Sequence, residues 1–173
     1  MFLSQVKLPN IPTYEVHQHL HTLFDDGPRK FLYRRMDDGY LMLSITRPHH
    51  PCTELPLSSI PTGRPVSFAA DLVITKREKA HGYKRREIHD RFRRRDWLKR
   101  QLGDAATLRF VRFEDEIIRI KNGVTARVAQ TTGVIEVHDR GRFASLLQFG
   151  IGKNRAFGCG LIYLPEIMPW PPR

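Results

Sequence analysis

Residues 31–46 read F-L-Y-R-R-M-D-D-G-Y-L-M-L-S-I-T. Two strand-forming runs, 31–36 and 40–46, flank Asp37-Asp38-Gly39, and an Asp-Gly pair supplies the positive φ that tight hairpin turns demand. Upstream, F-L-S-Q-V-K-L at 2–8 reads as a short strand. T-Y-E-V-H-Q-H-L-H-T-L-F at 13–24 reads as a helix, with Thr13 as N-cap and Val16, Leu20, Leu23 and Phe24 on one stripe. Asp25-Asp26-Gly27-Pro28 breaks it. The order is β-α-β-β, three quarters of a ferredoxin-like unit.

Residues 47–65 carry five prolines, Pro48, Pro51, Pro56, Pro61 and Pro65, which leaves no room for a further helix and a full strand. The first unit therefore ends in truncated form. A second unit starts at V-S-F-A-A-D-L-V-I-T (66–75) and continues into a basic helix. L-R-F-V-R-F-E-D-E-I-I-R-I and V-T-A-R-V-A-Q flank Asn122-Gly123, a type I′ hairpin signal, and Thr132-Gly133 marks a bend or bulge before V-I-E-V-H. D-R-G-R-F-A-S-L-L-Q-F (139–149) reads as a helix capped by Asp139, and C-G-L-I-Y-L (159–164) as the closing strand. The fold class is α+β: tandem ferredoxin-like (RRM-like) βαββαβ domains, the first truncated. Boundaries fall at 1–62 and 63–167, with a Pro-rich tail at 168–173.

Charge narrows the function. The chain has 29 Lys and Arg against 18 Asp and Glu, a formal net charge of +11. Residues 76–100 hold twelve of those cations and only four acids, a net +8 in one seventh of the chain. A run dominated by one sign points to a polyanion rather than to an ordinary solvated face. Ile88, Phe92, Leu98 and Leu102 fall on one helical stripe, and Gly103 is a C-cap. Arg93, Trp97 and Arg100 share another face. Trp97 there either meets a nucleic-acid groove or packs on a neighbouring element. Two cysteines, Cys52 and Cys159, exclude a Cys-rich zinc scaffold and fit a reducing compartment. No run approaches a membrane span, and M-F-L-S-Q-V-K-L-P has no signal-peptide pattern, so a cytoplasmic protein with no membrane partner is expected.

Residues 150–160 read G-I-G-K-N-R-A-F-G-C-G. The spacing fits neither a Walker loop nor a dinucleotide fingerprint. What remains is Gly150, Gly152 and Asn154 beside the cations Lys153 and Arg155, a backbone able to approach phosphate closely. In the first helix, with Val16 at 0° and about 100° per residue, the apolar stripe centres near about 30°. His17, His21 and Tyr14 follow at about 100°, 140° and 160°, on one shoulder, and His19 at about 300° lies opposite. His17 and His21 are i, i+4, a zinc-compatible spacing, but no third ligand is evident and no metal or other cofactor is expected.

Three stretches carry a family resemblance: M-F-L-S-Q-V-K-L with Y-E-V-H-Q-H-L, W-L-K-R-Q-L-G at 97–103, and Q-F-G-I-G-K-N-R-A-F-G-C-G-L-I-Y-L at 148–164. The chain resembles the CRISPR repeat-processing endoribonucleases, most nearly the CasE subfamily of Cascade-type complexes. The resemblance implies tandem ferredoxin-like domains and metal-independent cleavage of a repeat-RNA hairpin by 2′-OH attack, leaving a 2′,3′-cyclic phosphate and a 5′-OH. It assigns catalysis to Tyr14 and His17. RNA contacts then fall to Lys84, Arg85, Arg86, Arg93, Arg94, Arg95 and Arg100, with Gly150, Gly152, Lys153, Asn154 and Arg155. The implied partners are the hairpin, retained after cleavage, and a backbone subunit of the effector complex. The alternative is a subunit that grips the hairpin without cutting it.

Overall fold

The computed structural model describes residues 1–9, 11–25, 31–78, 84–121 and 124–170. Strand β1 (Phe2–Val6) pairs antiparallel with β3 (Gly39–Ser44), β3 pairs with β2 (Phe31–Met36), and the two-residue β4 (Thr53–Glu54) lies on the other side of β1. The order β2-β3-β1-β4 is that of a ferredoxin-like sheet with its last strand cut short. Helix α1 (Thr13–His21) covers one face, where Val16 and Leu20 meet Val6, Phe31, Tyr33 and Met42. The opposite face, with Leu3, Leu32, Leu41 and Leu43, joins the core of the second half. Covering on both faces explains why Phe31–Tyr33 and Leu41–Ser44 are buried without alternation.

The second half opens with β5 (Pro65–Leu72). A separate hairpin follows, β6 (Thr75–Glu78) with β7 (Lys84–Glu87), then α2 (Arg91–Leu102), β8 (Ala106–Lys121), β9 (Val124–Val137) and α3 (Arg140–Phe149). The sheet order is β5-β9-β8, and α3 reaches back to pack Phe143 and Leu147 into the shared core against β2 and β3. Asp139 caps α3 by accepting the Arg142 N–H at 2.9 Å, and Gly103 ends α2 at φ +53°, as the sequence implies.

Several sequence readings need correction. Residues 159–164 do not form a strand; Tyr163 alone exchanges backbone hydrogen bonds with Ala69, at 2.9 and 2.8 Å, because φ at Gly158 and Gly160 is positive. The N-cap of α1 is Pro12, with no side-chain cap bond, so Thr13 is already helical, and the helix stops at His21 rather than residue 24. Gly39 has no positive φ and is the first residue of β3, opposite Met36; a side chain there would crowd the Val6 carbonyl at 2.8 Å. Strand β9 runs unbroken through Thr132-Gly133. The irregularity lies opposite, in β8 between Leu108 and Phe110. The breaker at 26–28 and the Asn122-Gly123 turn lie outside the described residues.

The C-terminal segment is held, as far as Trp170, by named contacts. Glu166 pairs with Arg64 at 2.7 Å, the Gln5 amide donates to the Pro169 carbonyl at 3.0 Å, and the Trp170 indole N–H donates to Asp38 at 3.0 Å. His50 donates a ring N–H to the Gln5 carbonyl at 3.0 Å. No helix among the described residues is long and apolar enough to cross a membrane.

Gly133 tests the β8–β9 packing. A Cβ there would lie 2.2 Å from the Phe110 carbonyl and 2.8 Å from the Phe68 ring, whereas Gly63, at φ +71°, has no atom within 4 Å. Gly133→Ala should cost about 3 kcal/mol and lower Tm by roughly 6–12 °C. Gly63→Ala should cost only the left-handed backbone penalty of about 1 kcal/mol. Thermal unfolding of both variants checks the difference.

Candidate active site and basic surface

Residues 150–160 run between the two sheets. Helix α3 ends at Gly150, φ +67°, and the chain turns back so that Ile151 N–H donates to the Gly160 carbonyl at 2.9 Å. Gly160 N–H donates to the Asp71 carbonyl on β5 at 2.8 Å, and the Tyr33 hydroxyl on β2 donates to the Ala156 carbonyl at 2.8 Å. Arg34, next on β2, pairs with the Asp71 carboxylate at 3.0 Å while its guanidinium lies over the Tyr163 ring. Gly152 (φ +75°) lies against the Trp97 ring, and Lys153 bridges to Val73. The turn geometry therefore accounts for the glycines: with Asn154 at φ +57°, five left-handed residues fold eleven positions into a compact plug. Lys153 and Arg155 are its exposed cations, Arg155 also donating to the Phe149 carbonyl.

Helix α1 packs against the 3₁₀ turn Arg155–Phe157 and against β8. Tyr14, on its first turn, accepts a hydrogen bond from the Gln18 amide at 3.2 Å and lines a cleft of ≈ 570 Å³ with Tyr33, Arg35, Tyr40, Ile117 and Phe157. His17 is half-buried, its ring 5.7 Å from Phe31 and 6.3 Å from His21, and His21 also meets Phe31. Tyr14 and the glycine-rich loop thus meet in one cleft, and His17 follows Tyr14 on the same helix. His19 is exposed. Among the described residues no third His, Cys, Asp or Glu joins His17 and His21 in a metal-sized group. Cys159 lines the same cleft, but burial pushes its thiol up to about 12, which leaves it protonated and a poor nucleophile.

The basic segment divides differently from its sequence reading. Its first half is the β6–β7 hairpin, where Lys76 stands opposite Arg86 and Arg77 opposite Arg85. Like charges directly across a ladder repel, and an anion between them relieves that cost. Lys76, Arg86 and Arg93 line a second cleft of ≈ 500 Å³. Arg85, Arg86, Arg93, Arg95 and Arg100 are exposed. The side chains of Lys79 and Lys84 lie outside the described residues.

Arg94 does not belong to this surface. It is buried, donating from Nε to the Ile88 carbonyl at 2.6 Å and from its two terminal nitrogens to Asp115 at 2.7 and 3.1 Å. The inward face of α2 is Arg94, Trp97, Leu98 and Leu102, and Trp97 packs inside, so the helix is rotated from the stripe read in the sequence. Ile88 precedes the helix, and Phe92 is exposed. Sequence reasoning also missed Asp90, which caps α2 by accepting the Arg93 N–H at 2.8 Å, and Arg35 at the Tyr14 cleft. An Asp three residues before a basic run was the available signal for the cap.

A family model described as CRISPR associated protein matches residues 5–165. No curated protein matches the sequence. Among solved structures, the chain is similar to the CRISPR endoribonuclease Cse3 bound to a 19-nucleotide RNA, with TM-score 0.80 and 20% identity over 94% of this chain and 96% of that one. It is similar to the CRISPR-associated protein Cas6e from Escherichia coli K-12, with TM-score 0.77 and 23% identity over 95% and 98%. It is also similar to a chain of E. coli Cascade bound to a PAM-containing double-stranded DNA target, with TM-score 0.66 and 24% identity over 95% and 98%. At these identities the likeness establishes the fold.

The two classes of arginine should separate in stability measurements. Arg94→Met leaves the Asp115 carboxylate without its main partner and should cost about 2–4 kcal/mol, or roughly 4–16 °C in Tm. Arg93→Glu, on the exposed face, should change Tm by no more than about 2 °C. The Arg94 guanidinium holds the Asp115 carboxyl below its ordinary value. That contribution is present above the ordinary Asp pKa of about 4 and is lost as pH falls through the depressed one. The gap between parent and Arg94→Met should therefore narrow below about pH 4.

Proposed function

The chain belongs to the CRISPR-associated protein family, and on that premise we propose that it is a metal-independent endoribonuclease that cuts repeat hairpins in precursor CRISPR RNA. We carry over from its structural relatives that it stays on the stem within a Cascade-type assembly. One observation supports the proposal: α1 packs on the Arg155–Phe157 turn, and its Tyr14 shares a cleft with Phe157, Gly158 and Cys159 of the cation-bearing 150–160 loop.

The reaction forms a bond from the ribose 2′-oxygen to the adjacent phosphorus and breaks the bond to the 5′-oxygen, giving a cyclic phosphate and a 5′-OH. One proton leaves the 2′-OH and one reaches the departing oxygen; Tyr14 and His17 handle these transfers, and histidine changes protonation near neutrality. Lys153 and Arg155 stabilise the charge that grows on the phosphorane-like transition state. The β6–β7 hairpin and the outer face of α2 hold the stem through Arg85, Arg86, Arg93, Arg95 and Arg100. Arg94 supports that surface from inside.

Single-turnover cleavage of a repeat hairpin in EDTA, read on a denaturing gel beside filter binding, tests the proposal. The parent should cut, and a 2′-deoxyribose on the 5′ side of the scissile phosphate should abolish cutting without weakening binding. His17→Ala should slow cleavage by roughly 10²- to 10⁴-fold with affinity little changed, Lys153→Ala should weaken both, and His19→Ala neither. Charge reversal at Arg86 and Arg93 should flatten the salt dependence of binding, at about 0.7–0.9 of a counterion per phosphate contact. A parent that binds the hairpin but never cuts it is the non-catalytic subunit instead.

A further inference from the structure

Helix α2 turns one large apolar side chain outward. Trp97, Leu98 and Leu102 are buried, but the Phe92 ring is 61% exposed. Its turn is fixed, because Asp90 caps the helix directly before it. The Arg91 guanidinium lies over the ring, 4.8 Å from its centroid. Arg93 and Arg95 are exposed on the adjoining positions, and Arg93 shares its cleft with Lys76 and Arg86 of the hairpin.

This combination narrows the ligand. An apolar protein surface is a poor match for a ring with a guanidinium over it and further arginines exposed on the same helix, since those cations would have to lose their water. A bare phosphate or a duplex backbone engages the cations and leaves the ring unused. An unpaired nucleotide satisfies both, since its base has a free face for the ring and its phosphates meet the arginines. Bases inside a stem have both faces covered by their neighbours.

We propose that Phe92 is a stacking platform for one unpaired base of the bound RNA, in the hairpin loop or a single-stranded flank, with Arg91, Arg93 and Arg95 on the phosphates around it. The proposal rests on the reading of the chain as a repeat-hairpin binder. It adds a contact that selects for structure outside the stem, separate from the Tyr14 cleft.

The test is a set of repeat hairpins in which each unpaired nucleotide in turn is made abasic, titrated against parent, Phe92→Ala, Phe92→Leu and Phe92→Trp, with thermal unfolding to confirm that all four fold alike. Phe92→Ala and Phe92→Leu should weaken the intact hairpin by about 5- to 100-fold, and Phe92→Trp should retain affinity. One abasic position should weaken the parent to a similar extent and have no further effect on Phe92→Ala. Unchanged affinity in Phe92→Ala, or abasic effects that add in full at every position, overturns the stacking role while leaving the hairpin-binding reading intact; the latter pattern is that of an aromatic serving a protein partner or the general packing of the helix. A parent that binds none of the hairpins overturns both.

Discussion

Chain closure at Gly160 sets the geometry on which the remaining contacts depend. A Cβ at that position would lie 2.5 Å from the Ile151 carbonyl, so the two ends of the 150–160 loop approach to a distance that only glycine permits. Closed in this way, the loop offers one carbonyl to Tyr33 of the first sheet and donates one N–H to Asp71 of the second. The Arg34–Asp71 pair lies beside both bonds, half out of solvent, where a bidentate guanidinium–carboxylate contact is more constraining than at an open surface. Helix α1 rests on the outer side of this plug. The positions of Tyr14 and His17 relative to Lys153 and Arg155 are thus set by backbone closure and need no direct contact between those side chains.

The abundant positive charge serves two ends. Arg94 is spent inside the molecule, where Asp115 and a carbonyl satisfy it. Arg34 acts similarly at the seam. The remaining cations of residues 76–100 that are described stand on the surface, some of them facing like charges across the hairpin. Burying one arginine under α2 fixes how the helix is rotated, and that rotation turns Arg93, Arg95 and Arg100 outward together with Phe92.

Much of the order of elements was readable because it depends on short-range signals: the strand-forming runs on either side of Asp37-Asp38, the stripe of Val16 and Leu20, the cap at Asp139. The resemblance placed Tyr14 and His17, and helical spacing put them on one shoulder. The strand residues 76–78 and 84–87 were misread because all seven are charged, which hides the period of two that a hairpin needs and leaves no apolar residue among them to mark a face. The rotation of α2 was unreadable for another reason. A buried arginine looks like any surface arginine until its carboxylate, 21 positions away, is brought beside it. The C-terminal contacts had no local signature either, since Trp170 and Pro169 meet residues more than 130 positions earlier.

Those C-terminal contacts bear on solubility. Strand β1 has only two residues of β4 along its outer side, opposite Phe2 and Leu3, which leaves the stretch from Ser4 to Val6 as a sheet edge. An open edge recruits strands from other molecules. Here His50 occupies the Gln5 carbonyl, the Gln5 side chain is tied to Pro169, and a proline has no N–H to offer a ladder. His50 and the tail thus cover this margin from two directions: a strand approaching Gln5 would have to displace the His50 ring from the backbone carbonyl and the Pro169 carbonyl from the side-chain amide.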